Sequence, residues 1–233
     1  MIVLSESSAD VVSSFGRQLL YGDHERPDTF EDAARFVVQN IFDNFLDSSN
    51  ERLFGLVRIF RFGPFADLHP DLQSLAASDD EYWLSLMASM GVEPDWRDRH
   101  HSKGHRVIPA DSPVTPMLQA AFSNIGLSFG KEIEAGGGGM EMHAHDRVGY
   151  LKHFHVPIAL DSPYIPDQEN FVVPYDIQSV VGIGSPFRDN IAYILLGFSL
   201  TPIDGEGAVN FAELNPFVGT LLASYDRDQI WSH

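Results

Sequence analysis

Two apolar segments near the end of the chain are joined too tightly to be anything but antiparallel neighbours. They are Ser179-Val-Val-Gly-Ile-Gly-Ser-Pro-Phe187 and Ile191-Ala-Tyr-Ile-Leu-Leu-Gly-Phe-Ser-Leu200, and only Arg188-Asp189-Asn190 lies between them. Parallel strands need a crossover of roughly a dozen residues or more, so a turn this short makes a hairpin. The amphipathic stretch Phe211 to Tyr225 follows and predicts a closing helix.

Upstream, Val11, Val12, Phe15 and Leu19 have helical spacing. Thr29 is a good N-cap, with Asp32 three residues on, and Phe30, Ala33, Val37, Ile41 and Phe45 form one helical stripe. Leu53 to Phe62 reads as a central strand, with Arg58 and Arg61 at the edges of its buried zone. Residues 66–90 carry Leu68, Leu72 and Leu75, then Tyr82, Leu86 and Met90, a spacing that predicts helix stopped by Gly91. Pro94 to Pro113 is irregular and polar. Pro116 to Gly126 predicts a short helix capped by Thr115. Leu127–Ile133 and Leu151–Val156 read as strands around a glycine run, Gly136 to Gly139, and Asp161 to Pro174 is a proline-rich loop. This order predicts an α+β domain: a central antiparallel sheet with flanking helices.

The formal net charge is −18, which repels phosphate backbones and anionic lipid, so neither nucleic acid nor a membrane is an expected partner. There is no cysteine, which excludes thiolate nucleophiles, Cys-based zinc and iron–sulfur sites, and thioether-linked tetrapyrroles. No apolar run approaches the roughly 20 residues of a membrane span, and the first residues lack a basic region and a long apolar core. A cytoplasmic protein is the expectation.

Enzyme signatures are weak. Gly182-Ile-Gly184 has no third glycine at dinucleotide spacing and lies in a hairpin strand, and neither a P-loop nor a nucleophile elbow is present. Two histidine pairs stand close together, His143-Ala-His145 and His153-Phe-His155. On a strand, both rings of such a pair share one face and can chelate a metal. Gly137 followed by His143-x-His145 matches the opening of the cupin metal motif, but Gly149 and Tyr150 stand where that motif wants glutamate. A metal site using His143, His145 and His153, within a metal-dependent enzyme or metal-binding protein, is the alternative reading. The segment Trp96 to His105 gathers Arg97, Arg99, Lys103 and His105, which suit either an anionic ligand or the chain's own carboxylates.

Ser179 to Ala223 resembles the closing hairpin and helix of GAF domains. A longer resemblance spans about residues 30–223, in the phrases Trp96-x-x-Arg99, Ser102-x-Gly104-His105-x-x-Ile108-Pro109, Phe154-His155-Val156-Pro157, Ser162-Pro-Tyr-Ile-Pro166 and Phe171-Val-Val-Pro-Tyr175. These phrases resemble a GAF-type input region found ahead of bacterial histidine kinases and other output domains. The resemblance implies a six-stranded antiparallel sheet, helices on one side, and a ligand pocket under loops on the other. It implies ligand-binding roles for Trp96, Arg99, His105, His155 and Tyr164, and a regulatory rather than catalytic protein. Its partners would be an unidentified small ligand, a histidine kinase or other output domain, and a second copy in a homodimer. The terminal helices would relay the signal. Residues 134–147 depart from the pattern, and the family's cyclic-nucleotide signature is missing. Covalent bilin attachment would need a cysteine, so the cofactor stays unknown. The expected divisions are an N-terminal helical extension over 1–28, the GAF-like domain over 29–228, and a tail over 229–233.

Overall fold

The computed structural model describes residues 1–76, 82–102, 105–109, 116–124, 153–165, 167–187, 191–225 and 229–232. A short strand, β1 (Ile2–Val3), leads into helix α1 (Ala9–Tyr21), which buries Val12, Phe15, Gly16 and Leu19. Helix α2 (Phe30–Asn44) starts as its sequence predicts: the Thr29 hydroxyl accepts from the Asp32 backbone N–H at 3.0 Å. Glu31 and Asp32 in the first turn suit the positive end of the helix dipole. Phe45, placed by its spacing on the helical stripe, is instead extended (φ −91, ψ 119). It opens β2 (Phe45–Leu46), which pairs in parallel with β1.

Strand β3 (Phe54–Pro64) is the sheet's centre. Next come a one-turn helix α3 (Pro70–Gln73), strand β4 (Tyr82–Gly91), strand β5 (Val107–Pro109), helix α4 (Pro116–Asn124) and strand β6 (His153–Val156). The hairpin strands β7 (Ser179–Pro186) and β8 (Ala192–Ser199) then precede helices α5 (Gly205–Ala212) and α6 (Asn215–Ala223). The six-stranded sheet runs β5-β4-β3-β8-β7-β6, with every pairing antiparallel. The proposed turn residues 188–190 and the strand read over 127–133 lie outside the described residues.

Three sequence readings need correction. Residues 66–90 are mostly not helix: beyond α3, the later apolar residues belong to β4. Tyr82 to Gly91 is buried from both sides, so apolar side chains occur at nearly every position and helical spacing arises by coincidence. Phe211 to Tyr225 is not one helix. It divides between α5 and α6, and Pro216 sits in the first turn of α6, where its missing N–H costs nothing. Arg61 does not stand at the edge of the buried zone but is 1% exposed, with Nη2 donating to Asp67 Oδ2 at 2.8 Å.

Alternation along β3 sorts the molecule into two layers. Val57 and Ile59 face the core built with α1, α2, α5 and α6. Leu56, Phe60 and Phe62 face a second core, shared with Leu118 of α4, Phe154 of β6, and Ile165, Val172 and Ile177 from the loop after β6. Residues 1–28, expected as an extension, send Val12, Phe15 and Leu19 into the first core. The end of the chain is docked too: Phe30 N–H donates to the Gln229 carbonyl at 2.7 Å and Glu31 N–H to the Ile230 carbonyl at 3.0 Å.

Candidate functional site

The second face of the sheet carries a cavity of about 540 Å3. Its floor is sheet: Leu56, Arg58 and Phe60 from β3, Leu196 and Phe198 from β8. One wall is the segment after β4, with Glu93, Pro94, Asp95, Trp96, His101, Ser102 and His105. The others come from Met117 and Leu118 of α4 and from Ile165, Asp167, Asn170, Phe171 and Tyr175. The volume falls within the roughly 300–1,000 Å3 of small-molecule sites.

An aromatic cluster braces one side. The Trp96 ring lies 4.4 Å from Tyr175 and 5.5 Å from Phe171, and Phe171 packs edge-on to Phe198 at 5.0 Å. Such tilted and edge-on pairs hold ring planes in fixed orientations. The loop that carries Phe171 is shaped by Asp167, whose carboxylate accepts from the Asn170 backbone and side chain, and by a turn of π-helix over Gln168–Val172.

Arg58 is the cation in this floor, and its position follows from strand parity. In the pairing of β3 with β4, Arg58 sits opposite Ser89 and Ile59 opposite Ala88, but Phe60 sits opposite Leu86. Met87 is the extra residue of a bulge, which switches the parity of β4 so that Ser89 comes beside Arg58. The Ser89 hydroxyl donates to the Trp96 carbonyl at 2.7 Å and offers a lone pair to Arg58 Nε at 3.4 Å. Arg58 Nη2 reaches Ser102 Oγ, also at 3.4 Å. These two long contacts to neutral hydroxyls are its hydrogen bonds, and no carboxylate pairs with it among the described residues. Burial pushes the guanidinium pKa down to about 10, so it remains charged at neutral pH.

His105 lies within the reach of that charge. Burial lowers its pKa, the Arg58 charge lowers it further, and Asp167 works in the opposite direction. The ring nevertheless keeps exposed surface, because it lines the cavity.

The structure divides the residues singled out by sequence. Trp96 and His105 line the cavity. Arg99 does not: it is buried on the opposite side of its segment, with Nε donating to Glu31 Oε1 at 2.6 Å. Trp96 and Arg99 belong to separate 3-10 turns, Pro94–Trp96 and Arg99–His101, with Asp98 extended between them (φ −143, ψ 132). That break reverses the direction of the side chains. His155 shares a face with His153, as its spacing predicts, but this is the face toward α5. Its Nε2–H donates to the Ile203 carbonyl at 2.9 Å. Tyr164 packs near Phe154, and its neighbour Ile165 forms the cavity wall. His143 and His145 lie outside the described residues, and among the described residues no group of three or more histidines or carboxylates is arranged to hold a metal.

Sequence reasoning missed Arg58, Leu196 and Phe198. The available signal was an arginine in strand register with Leu56 and Phe60, a cation at a position that should hold an apolar side chain.

Architecture and cavity can be set against known structures. The GAF domain of a phosphoenolpyruvate-protein phosphotransferase from Coxiella burnetii superposes with a TM-score of 0.50 at 12% identity, over 93% of this chain and 94% of that one. The fold is GAF-like. A GAF domain from an Acinetobacter phosphoenolpyruvate-protein phosphotransferase is also similar, with a TM-score of 0.43 at 13% identity, over 94% of this chain and 96% of that one. No protein-family model and no curated protein matches the sequence. The GAF-like fold places α1, α2, α5 and α6 on one face of the sheet and the cavity on the other, as the sequence resemblance implied, but α4 packs on the cavity side. Among the described residues no helix is long and apolar enough to cross a membrane.

Proposed function

We propose that this chain is a regulatory sensor domain, without catalytic activity of its own, that receives a small molecule in the cavity beneath Trp96 and Phe171. The observation that carries this reading is the cavity itself: preformed, floored by the sheet, walled by aromatic rings, and supplied with a half-buried cation. Its setting on a GAF-like fold supports the same reading.

The relay we propose runs through the segment 94–102. Trp96 and Ser102 line the cavity, while Arg99 between them bonds to Glu31 at the start of α2. Arg99 also lies over the Trp231 ring at 5.0 Å, and the Ser232 N–H donates to Glu31 Oε2 at 3.2 Å. A shift of Trp96 on ligand entry would thus be felt at α2 and the chain's end, which differential contacts in two states would convert into a signal. We assign the output to a bacterial signalling partner in the cytoplasm, such as a histidine kinase or another output domain, and the functional unit to a homodimer. The similar Coxiella burnetii structure is a GAF domain from a phosphoenolpyruvate-protein phosphotransferase.

Native mass spectrometry of untagged protein, followed by a thermal-shift screen of small metabolites, tests this reading. A bound organic mass, or a compound that raises the melting temperature of the wild type but not of a cavity-filling Met117→Trp variant, supports it. Stabilisation that survives Met117→Trp places the ligand elsewhere and refutes the cavity assignment.

A further inference from the structure

A half-buried guanidinium with no carboxylate in contact among the described residues is costly, and the cost says what the cavity is built to receive. Arginine cannot shed its charge at neutral pH, so Arg58 cannot escape desolvation by becoming neutral. Two hydroxyl contacts at 3.4 Å are weak compensation, and they leave much of the five-donor fork unused. The two fully buried arginines are paired with carboxylates, Arg61 with Asp67 at 2.8 Å and Arg99 with Glu31 at 2.6 Å, whereas Arg58 is half-buried. Arg58 is the exception among these three, and it is the one that faces the cavity.

The rest of the lining narrows the class. Phe171, Trp96 and Phe198 give flat apolar surface for a ring or a branched aliphatic body. Glu93, Asp95 and Asp167 also line the cavity, and they oppose a ligand carrying several negative charges. We infer that the ligand is a small organic monocarboxylate with an aromatic or branched apolar body, its carboxylate held by Arg58 and its body packed against Phe171 and Trp96. This inference rests on the sensor reading of the cavity and gives it a substrate class. Nucleotide polyphosphates are disfavoured by the three acids, and a neutral ring would leave the Arg58 charge unanswered. A planar carboxylate matches the guanidinium fork in two parallel bonds, as a point ammonium could not.

Isothermal titration with phenylacetate, its neutral isostere phenylacetamide and the cation phenethylamine tests this on the full chain. The acid is expected to bind at least about tenfold more tightly than the amide, the margin of one charge-assisted pair. Arg58→Met should erase that preference by weakening the acid far more than the amide, and Arg58→Lys should restore part of it. Equal affinities in the wild type, or a preference that survives Arg58→Met, overturn the carboxylate assignment and leave the cavity as a site for neutral ligands. Failure of all three probes to bind at millimolar concentration overturns it as well, and if thermal stabilisation by other metabolites still depends on Met117, the sensor reading stands alone. The melting temperature of Arg58→Met gives a readout without ligand. It should rise, because an unanswered charge is removed, whereas a fall would show that Arg58 serves the fold instead.

Discussion

Arg99 Nε donates to Glu31 Oε1 at 2.6 Å, across 68 residues of sequence, and both side chains are buried. The pair joins the cavity wall to the first turn of α2. Glu31 has other partners, Arg35 Nη2 at 3.3 Å and the Ser232 N–H at 3.2 Å. Arg99 relies on Glu31 for its ion pair, and its Nη1 finds no hydrogen-bond partner.

That asymmetry sets the first prediction. Breaking a buried pair from one side typically costs about 3–5 kcal/mol. Glu31→Gln should fall within that range, because it leaves a buried cation unanswered. Arg99→Met should cost less, since Glu31 keeps two donors. Urea denaturation of both variants checks this, and equal costs would contradict the view that Arg99 leans on Glu31 more than Glu31 leans on Arg99.

The second prediction concerns pH. Burial, with Arg58 behind it, holds the folded His105 pKa below its ordinary value near 6.5, against the pull of Asp167. The unfolded chain therefore takes up a proton first as pH falls. Stability contributed at His105 is present above about pH 6.5 and declines below it, until the folded state also protonates. His105→Gln should flatten the stability–pH profile as pH falls below about 6.5. A bound carboxylate would raise the His105 pKa, so phenylacetate should bind more tightly at pH 6 than at pH 8, and the variant should lose that dependence.

Tyr193 gives a third. Its hydroxyl is fully buried and donates to Asn215 Oδ1, while the Asn215 amide donates to the Gly184 carbonyl at 3.1 Å. Burial drives the phenol pKa far upward, despite a hydrogen bond with Ser185 that lowers it. The folded state thus keeps its proton above the unfolded value of about 10, and stability should fall as pH rises past that point. Tyr193→Phe removes this alkaline sensitivity but strands a buried acceptor, at a cost of about 1–3 kcal/mol at neutral pH. Chemical denaturation at pH 7 and pH 10.5 separates the two effects.

Gly91 ties the sheet to the cavity wall. A Cβ there would stand 2.7 Å from Trp96 Cβ and 3.0 Å from the Gly55 carbonyl oxygen, and neither is the free end of a side chain. Gly91→Ala should destabilise by about 1–3 kcal/mol, as overpacking does, even though alanine suits regular structure better than glycine. It should also displace Trp96 and weaken binding of any ligand that needs it. An unchanged melting temperature and unchanged Trp96 environment by NMR would refute the close approach.

What the sequence alone determined was set by local rules. Thr29 and Asp32 start α2 through their own hydrogen bonds, Val12, Phe15 and Leu19 mark the buried stripe of α1, and three residues between two apolar runs force β7 against β8. The GAF-like arrangement was legible there too, as were Trp96 and His105 on the cavity wall. Contacts between distant segments decided the rest. Tyr82 to Gly91 is a strand because helices cover one of its faces and loops the other, which erases the alternation that marks a half-buried strand. Arg99 and Arg58 exchanged roles for a similar reason. An extended residue at Asp98 turns Arg99 away from the cavity toward a glutamate 68 residues earlier, and strand parity turns Arg58 into the cavity. Neither partner is visible from local spacing, since the free energy of a buried charge depends on what the fold brings beside it.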